Sequence, residues 1–235
     1  MRIARIGVVV AGVALAALGA VLPMASADNA PKIIDGSQAD ALHGAARMFA
    51  GGQEICSATV IAPNWILTAR HCTQGAGGQA ISFHTGSLDQ TQGTNVNATQ
   101  VVESQEADIA LVQIDTAVSG DFAPLGNVGD VNVGDQVQVY GWGATCTDRP
   151  EIECQSQMLK MANVSVNSID CPDGAAGLSV CADRVDGITA GGDSGGPMYA
   201  NGKQVGVAST SDRQSYTAYI NVTLYRDWIA SVAGV

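Results

Sequence analysis

From about residue 33 onward, apolar positions come in short runs cut by glycine and polar turns. Ala58-Thr59-Val60-Ile61-Ala62, Ile109-Ala110-Leu111-Val112-Gln113-Ile114, Gln136-Val137-Gln138-Val139-Tyr140 and Gln204-Val205-Gly206-Val207-Ala208 each have strand length, and the third alternates polar and apolar. Such runs, spaced by turn signals, predict an all-β barrel or sandwich. One helix is expected, at the C-terminus, where Leu224, Trp228 and Ile229 fall on one side with Tyr225 beside them. Its expected task is packing. The turn-rich stretch Asp121 to Gly134 divides the chain roughly in half and reads as a linker between two β lobes.

The first residues follow a different pattern. Arg2 and Arg5 precede an apolar stretch from Ile6 to Leu22, and Ala25-Ser26-Ala27 ends it. A basic head, an apolar body and an A-x-A ending predict a secretory leader, residues 1–27, cut after Ala27. A membrane anchor is the competing reading of this stretch. No other segment is apolar enough to span, so no membrane association is expected after cleavage. The chain has 235 residues, 28 glycines and a formal net charge of −11. Loss of Arg2, Arg5 and Lys32 against Asp28 makes it more negative still. Such a balance disfavours nucleic acid and anionic membranes as partners.

Six cysteines in an exported chain predict three disulfides. Spacing favours Cys146 with Cys154 and Cys171 with Cys181, which leaves Cys56 with Cys72. A zinc site is the alternative, but no C-x-x-C pair occurs, and no metal or cofactor is expected.

The chemistry centres on Gly191-Gly192-Asp193-Ser194-Gly195-Gly196-Pro197. Glycines before a serine permit a turn in which two backbone N–H groups point at one spot, as a transition-state oxyanion requires. A serine nucleophile needs a base. Of His43, His71 and His84, only His71 follows a strand-like segment and precedes a cysteine that would pin the backbone beside it. His43 and His84 read as surface or strand histidines. A third group must orient the imidazole. Asp108, at the mouth of the apolar run that starts at Ile109, is costly to bury unless paired.

Leu67-Thr68-Ala69-Arg70-His71-Cys72, Asp108-Ile109-Ala110-Leu111, Tyr140-Gly141-Trp142-Gly143 and Gly192-Asp193-Ser194-Gly195-Gly196-Pro197 occur in this order. Together they resemble the chymotrypsin/trypsin-like serine protease family over roughly Ile33 to Ile229. The resemblance implies an all-β fold of two six-stranded antiparallel β-barrels with a C-terminal helix. The protease domain would cover 33–235, its first barrel about 33–126 and its second barrel plus helix about 127–235. His71, Asp108 and Ser194 would form the catalytic triad, and the N–H groups of Gly192 and Ser194 the oxyanion hole. Lys32-Ile33-Ile34-Asp35-Gly36 resembles the family's activation junction. Cleavage after Lys32 would release a propeptide, 28–32, and free an Ile33 amine to pair with Asp193. Cys56–Cys72 and Cys171–Cys181 match family disulfides, whereas Cys146–Cys154 lies outside the common pattern. Arg70 stands where most relatives have alanine, and no role is assigned to it from sequence.

The resemblance also implies a secreted endopeptidase acting on protein or peptide substrates, with a protein protease inhibitor as a further partner class and a monomer as the default state. Six residues before Ser194, Ile188 takes the pocket-floor position, where trypsin-like members carry aspartate. Ser209, Ser211 and Thr217 take wall and neck positions. Isoleucine on the floor and a non-glycine neck imply a small or medium apolar residue on the acyl side of the cut. Cleavage after Lys or Arg would instead need Asp183 or Asp186 to point inward. A catalytically silent binding protein on the same fold is the remaining alternative.

Overall fold

The computed structural model describes residue 1, residues 33–120 and residues 122–235. The rest of the leader, residues 2–27, and the propeptide with Lys32, residues 28–32, lie outside the described residues, as does Asp121 at the start of the expected linker.

The short apolar runs form strands, most of them buried along nearly their whole length, and the strands close into two barrels. In the first barrel β2 (Ala45–Ala50), β3 (Gln53–Ala62), β4 (Trp65–Thr68), β5 (Ile81–Thr85), β6 (Thr94–Glu103) and β7 (Ala110–Ile114) run in the order β2-β3-β4-β7-β6-β5. The second uses β8 (Gln136–Gly141), β9 (Lys160–Pro172), β10 (Leu178–Arg184), β11 (Pro197–Ala200), β12 (Lys203–Ser211) and β13 (Tyr216–Asn221). Their order is β9-β10-β13-β12-β11-β8, and antiparallel pairing of β8 with β9 closes the ring. Every pairing between strands of either barrel is antiparallel. The four runs singled out in the sequence fall in β3, β7, β8 and β12.

Each barrel has its own core. Met48, Ile66, Phe83 and Leu111 fill the first; Val139, Val164, Met198 and Tyr219 fill the second. The chain ends tie the two together. The short β1 (Ser37–Gln38) precedes the first barrel in sequence but pairs with β9 of the second, Ser37 opposite Met161. The C-terminal helix α2 (Arg226–Ala233) follows the second barrel but packs Ile229, fully buried, against the core of the first. Leu224 departs from the expected helical face. It lies in a short 3-10 turn before α2 and is 44% exposed, while Val222 and Ile229 take the buried positions.

The disulfides are Cys56–Cys72, Cys146–Cys154 and Cys171–Cys181. Among the described residues no helix is long and apolar enough to cross a membrane.

Candidate active site

His71 sits in the first turn of a six-residue helix, α1 (Arg70–Gly75), which begins directly after β4. The Cys56–Cys72 bridge ties this turn to β3, so the backbone beside the ring is fixed from two strands. Asp108 lies in the turn from β6 to β7 and is 1% exposed. Its carboxylate is held on both oxygens. Oδ1 accepts the His71 backbone N–H at 2.8 Å, and Oδ2 lies 2.6 Å from His71 Nδ1. Ser209 Oγ donates to the same Oδ2 at 2.7 Å. Burial pushes the Asp108 carboxyl up, but the bonds from His71 and Ser209 outweigh it and leave it below the usual carboxylate range. This is the pairing that holds an imidazole with Nε2 free to accept a proton.

Ser209 owes its aim to a bulge. The register of β12 on β13 shifts between Ala208 and Thr210, so Ser209 is an extra residue in the ladder. Its side chain turns toward the other barrel, where it meets Asp108. The same hydroxyl lies 3.0 Å from Asp173 Oδ1.

Ser194 opens onto the cleft that His71 also lines. A Ser194 Oγ–His71 Nε2 hydrogen bond is not among the contacts of the described residues. Such bonds are often long until substrate is bound. The loop before Ser194 has a defined set of peptide planes. The Gly191 carbonyl accepts from Ala144 N at 2.8 Å and from Gln155 Nε2 at 2.9 Å. In a trans peptide the N–H points opposite to the C=O, so the Gly192 N–H points away from Ala144 and Gln155. Gly192 has φ +98, which favours glycine, and a Cβ there would lie 2.1 Å from Gln155 Oε1.

Asp193 is fully buried. Its carboxylate accepts the N–H groups of Gly143 at 2.7 Å and Ala190 at 2.9 Å. Burial is the main influence and pushes its pKa up to about 6. Ile33 is also fully buried, with its side chain in the core of the second barrel. No ion pair joins Ile33 to Asp193 among the described residues; in the 235-residue chain the Ile33 nitrogen is a peptide nitrogen.

The cleft holds about 310 Å³ and is lined by Thr189, Ala190, Thr210, Ser211 and Arg213, among others. Ile188 and Thr217 do not line it, and both are fully buried. Ile188 forms a backbone bridge with Ile34. Thr217 Oγ1 lies 2.8 Å from Thr189 Oγ1, and Ser211 Oγ donates to the Thr189 carbonyl at 2.8 Å. Asp183 and Asp186 are exposed and accept hydrogen bonds from Asn167 and Asn163.

Several neighbours of the site had no catalytic role assigned from the sequence. Arg213 Nε lies 2.5 Å from Glu151 Oε1 across the cleft rim, and Glu151 comes from the loop closed by Cys146–Cys154. Arg70 donates to the Ser104 carbonyl at 2.8 Å and reaches the Ala175 carbonyl at 3.4 Å, so it spans the two barrels. His43 is exposed and packs edge-on against Tyr140, while His84 lies in β5 and bonds the Gln90 carbonyl. Cys56, His71 and Cys72 lie close enough to suggest a metal cluster, but both sulfurs are spent in the disulfide.

Two closed antiparallel barrels with a His–Asp pair and a half-buried serine lining the cleft between them define the class of chymotrypsin-like folds. A trypsin family model matches residues 33–229, and the chain belongs to the trypsin family. It is 31% identical over 190 residues to an uncharacterized peptidase of Corynebacterium glutamicum (strain R), covering 78% of this chain and 66% of that one. It is 30% identical over 213 residues to brachyurin of Leptuca pugilator, covering 81% of this chain and 92% of brachyurin. The structure of the scabies mite inactivated protease paralogue S-D1 superimposes with a TM-score of 0.74 at 23% identity, covering 85% of this chain and 97% of that one. The last likeness shows the fold alone.

Proposed function

We propose that the protein is a secreted serine endopeptidase that hydrolyses peptide bonds through an acyl-enzyme on Ser194. The observation that carries this is that His71, paired with Asp108, lines the same cleft as Ser194, beside a Gly191 peptide fixed by Ala144 and Gln155. Ser194 Oγ would bond to the scissile carbonyl carbon as its proton passes to His71 Nε2. The developing oxyanion would accept from the N–H groups of Gly192 and Ser194. Collapse breaks the C–N bond, and His71 returns the proton to the leaving amine. Water then attacks the ester by the same route in reverse and releases the acid.

A small or medium apolar residue is the proposed preference on the acyl side. Thr189, backed by Thr217 and bonded to Ser211, supports a shallow pocket, and the outward turn of Asp183 and Asp186 argues against a bound Lys or Arg. The leader and the cleavage after Lys32 belong to the same proposal, as does export, with which three disulfides are consistent.

The test compares protein beginning at Ile33 with its Ser194→Ala form on a peptide library varied at the acyl-side residue. The parent is expected to cut after Ala or Val, and the variant to lose roughly a million-fold in turnover. Equal activity of the two forms refutes the nucleophile. Clear preference for Lys or Phe refutes the pocket.

A further inference from the structure

Arg47 is one of the largest fully buried side chains in the molecule. It lies in β2, in Ala45-Ala46-Arg47-Met48-Phe49-Ala50. Strand alternation puts it opposite Ala46 and Met48, which fill the first barrel. It therefore leaves the first barrel outward and enters the interface with the second. A buried arginine is expensive and persists only where its donors are used.

Two of them are. Nη1 donates to the Gly192 carbonyl at 2.9 Å, and Nη2 donates to Gln155 Oε1 at 2.8 Å. Ser57 Oγ adds a second bond to the Gly192 carbonyl at 3.0 Å. A guanidinium has donors only, so the amide oxygen of Gln155 must face it. That leaves Gln155 Nε2 facing the Gly191 carbonyl, 2.9 Å away. One side chain thus fixes two successive carbonyls, Gly192 directly and Gly191 through Gln155. The Gly191 carbonyl sets the direction of the Gly192 N–H.

We infer that Arg47 is the positioning residue of the oxyanion hole, anchored in one barrel and holding the Gly191–Gly192–Asp193 peptides of the other in the orientation that binds developing negative charge. Its charge serves the same loop. Burial pulls the Arg47 guanidinium down to about 10, still protonated at neutral pH, and the buried Asp193 draws it back up. The attraction is mutual, since Arg47 favours the ionised form of Asp193. The inference rests on Ser194 as nucleophile for its kinetic consequence, but not for the loop geometry.

The experiment therefore has two readouts on protein beginning at Ile33. Arg47→Met keeps the length and removes charge and donors; Arg47→Lys keeps the charge with a shorter reach. Gln155→Glu, at a partly exposed position, keeps the acceptor for Arg47 but loses the donor to Gly191, and serves where Arg47→Met fails to fold. Steady-state kinetics on the best library peptide should show kcat lower by roughly 100-fold in Arg47→Met and Gln155→Glu, with KM within about threefold, and an intermediate value in Arg47→Lys. Affinity for a peptide boronic acid, which forms the tetrahedral adduct, should fall in parallel with kcat. In a Ser194→Ala background, amide exchange over residues 190–195 should be at least ~10-fold faster with Arg47→Met or Gln155→Glu, with β3 to β7 unchanged. Folded variants with unaltered exchange over 190–195 overturn the inference whether or not the parent cleaves peptides. So does a rise in KM at constant kcat. An inactive parent with the expected exchange pattern refutes the proposed activity and leaves Arg47 as the residue that positions the loop.

Discussion

A single proton decides what Ser209 does. Its hydroxyl lies between two carboxylates, 2.7 Å from Asp108 and 3.0 Å from Asp173, and can donate to one at a time. The closer and more buried acceptor is Asp108. Ser209→Ala should remove one charge-assisted bond from a carboxylate that keeps its two bonds to His71. The expected result is a loss of about 10-fold in kcat/KM, read by steady-state kinetics, with little change in the melting temperature. Gly192→Ala should do far more. It places a Cβ against Gln155 Oε1 at a φ that disfavours alanine, and kcat should fall by more than about 100-fold. These two residues also mark what a sequence discloses at this scale. Ser194, His71 and Asp108 were legible because each sits in a short local pattern tied to a turn or a disulfide. Arg47 and Gln155 were not, because their meaning lies in contacts 145 and 36 residues away in the chain. Nothing local distinguishes a strand arginine that enters a barrel interface from one that enters water.

At the scale of elements, the loop closed by Cys146–Cys154 does more than connect β8 to β9. It contains the short 3-10 turn of residues 151–154, and Glu151 reaches from it to Arg213 on the far rim of the cleft. The bonds from Arg213 hold the Glu151 carboxyl below its usual range. Opening the disulfide by Cys146→Ser with Cys154→Ser should lower the unfolding free energy by about 2 kcal/mol, as measured by denaturant titration. It should also expose residues 144–155 to self-cleavage, visible as new fragments by mass spectrometry. Glu151→Gln is a gentler probe. It leaves Arg213 without its counterion beside the entrance to the pocket, so peptides with Glu on the acyl side should gain severalfold relative to Ala. The strands themselves were readable from β3, β7, β8 and β12, where apolar runs are continuous or strictly alternating. The helix was readable too, but Leu224 was placed on its buried face. Periodicity alone does not reveal that a 3-10 turn, capped by the Asn221 side chain, precedes α2 and shifts the phase.

At the scale of the molecule, the two barrels meet through polar groups that each barrel lends to the other. Arg47 and Ser57 reach from the first to the Gly192 carbonyl, and Ser209 reaches from the second to Asp108. Asp193 lies at the centre of this exchange, and its protonation reports on whether the loop has a full set of counterions. With a pKa raised to about 6, the folded chain keeps a proton that the unfolded chain has already lost. The stabilisation this gives is complete below about pH 4 and is lost as pH rises through about 6, amounting to as much as about 3 kcal/mol. A free Ile33 ammonium paired with Asp193 would lower that pKa and abolish the decline. Asp108, Asp130 and Glu151, whose pKa values are depressed, act in the opposite sense: the stability they give is present above the usual carboxylate pKa and is lost as pH falls through their lowered values. They are common to both forms and cancel in a difference. Denaturant melts of Lys32→Gln protein, which stays unprocessed, and of protein beginning at Ile33, both carrying Ser194→Ala, should therefore diverge between about pH 4 and 7, the processed form growing relatively more stable. Parallel curves would show that the Ile33 amine does not reach Asp193, and would leave Arg47 as the cation on which that buried carboxylate depends.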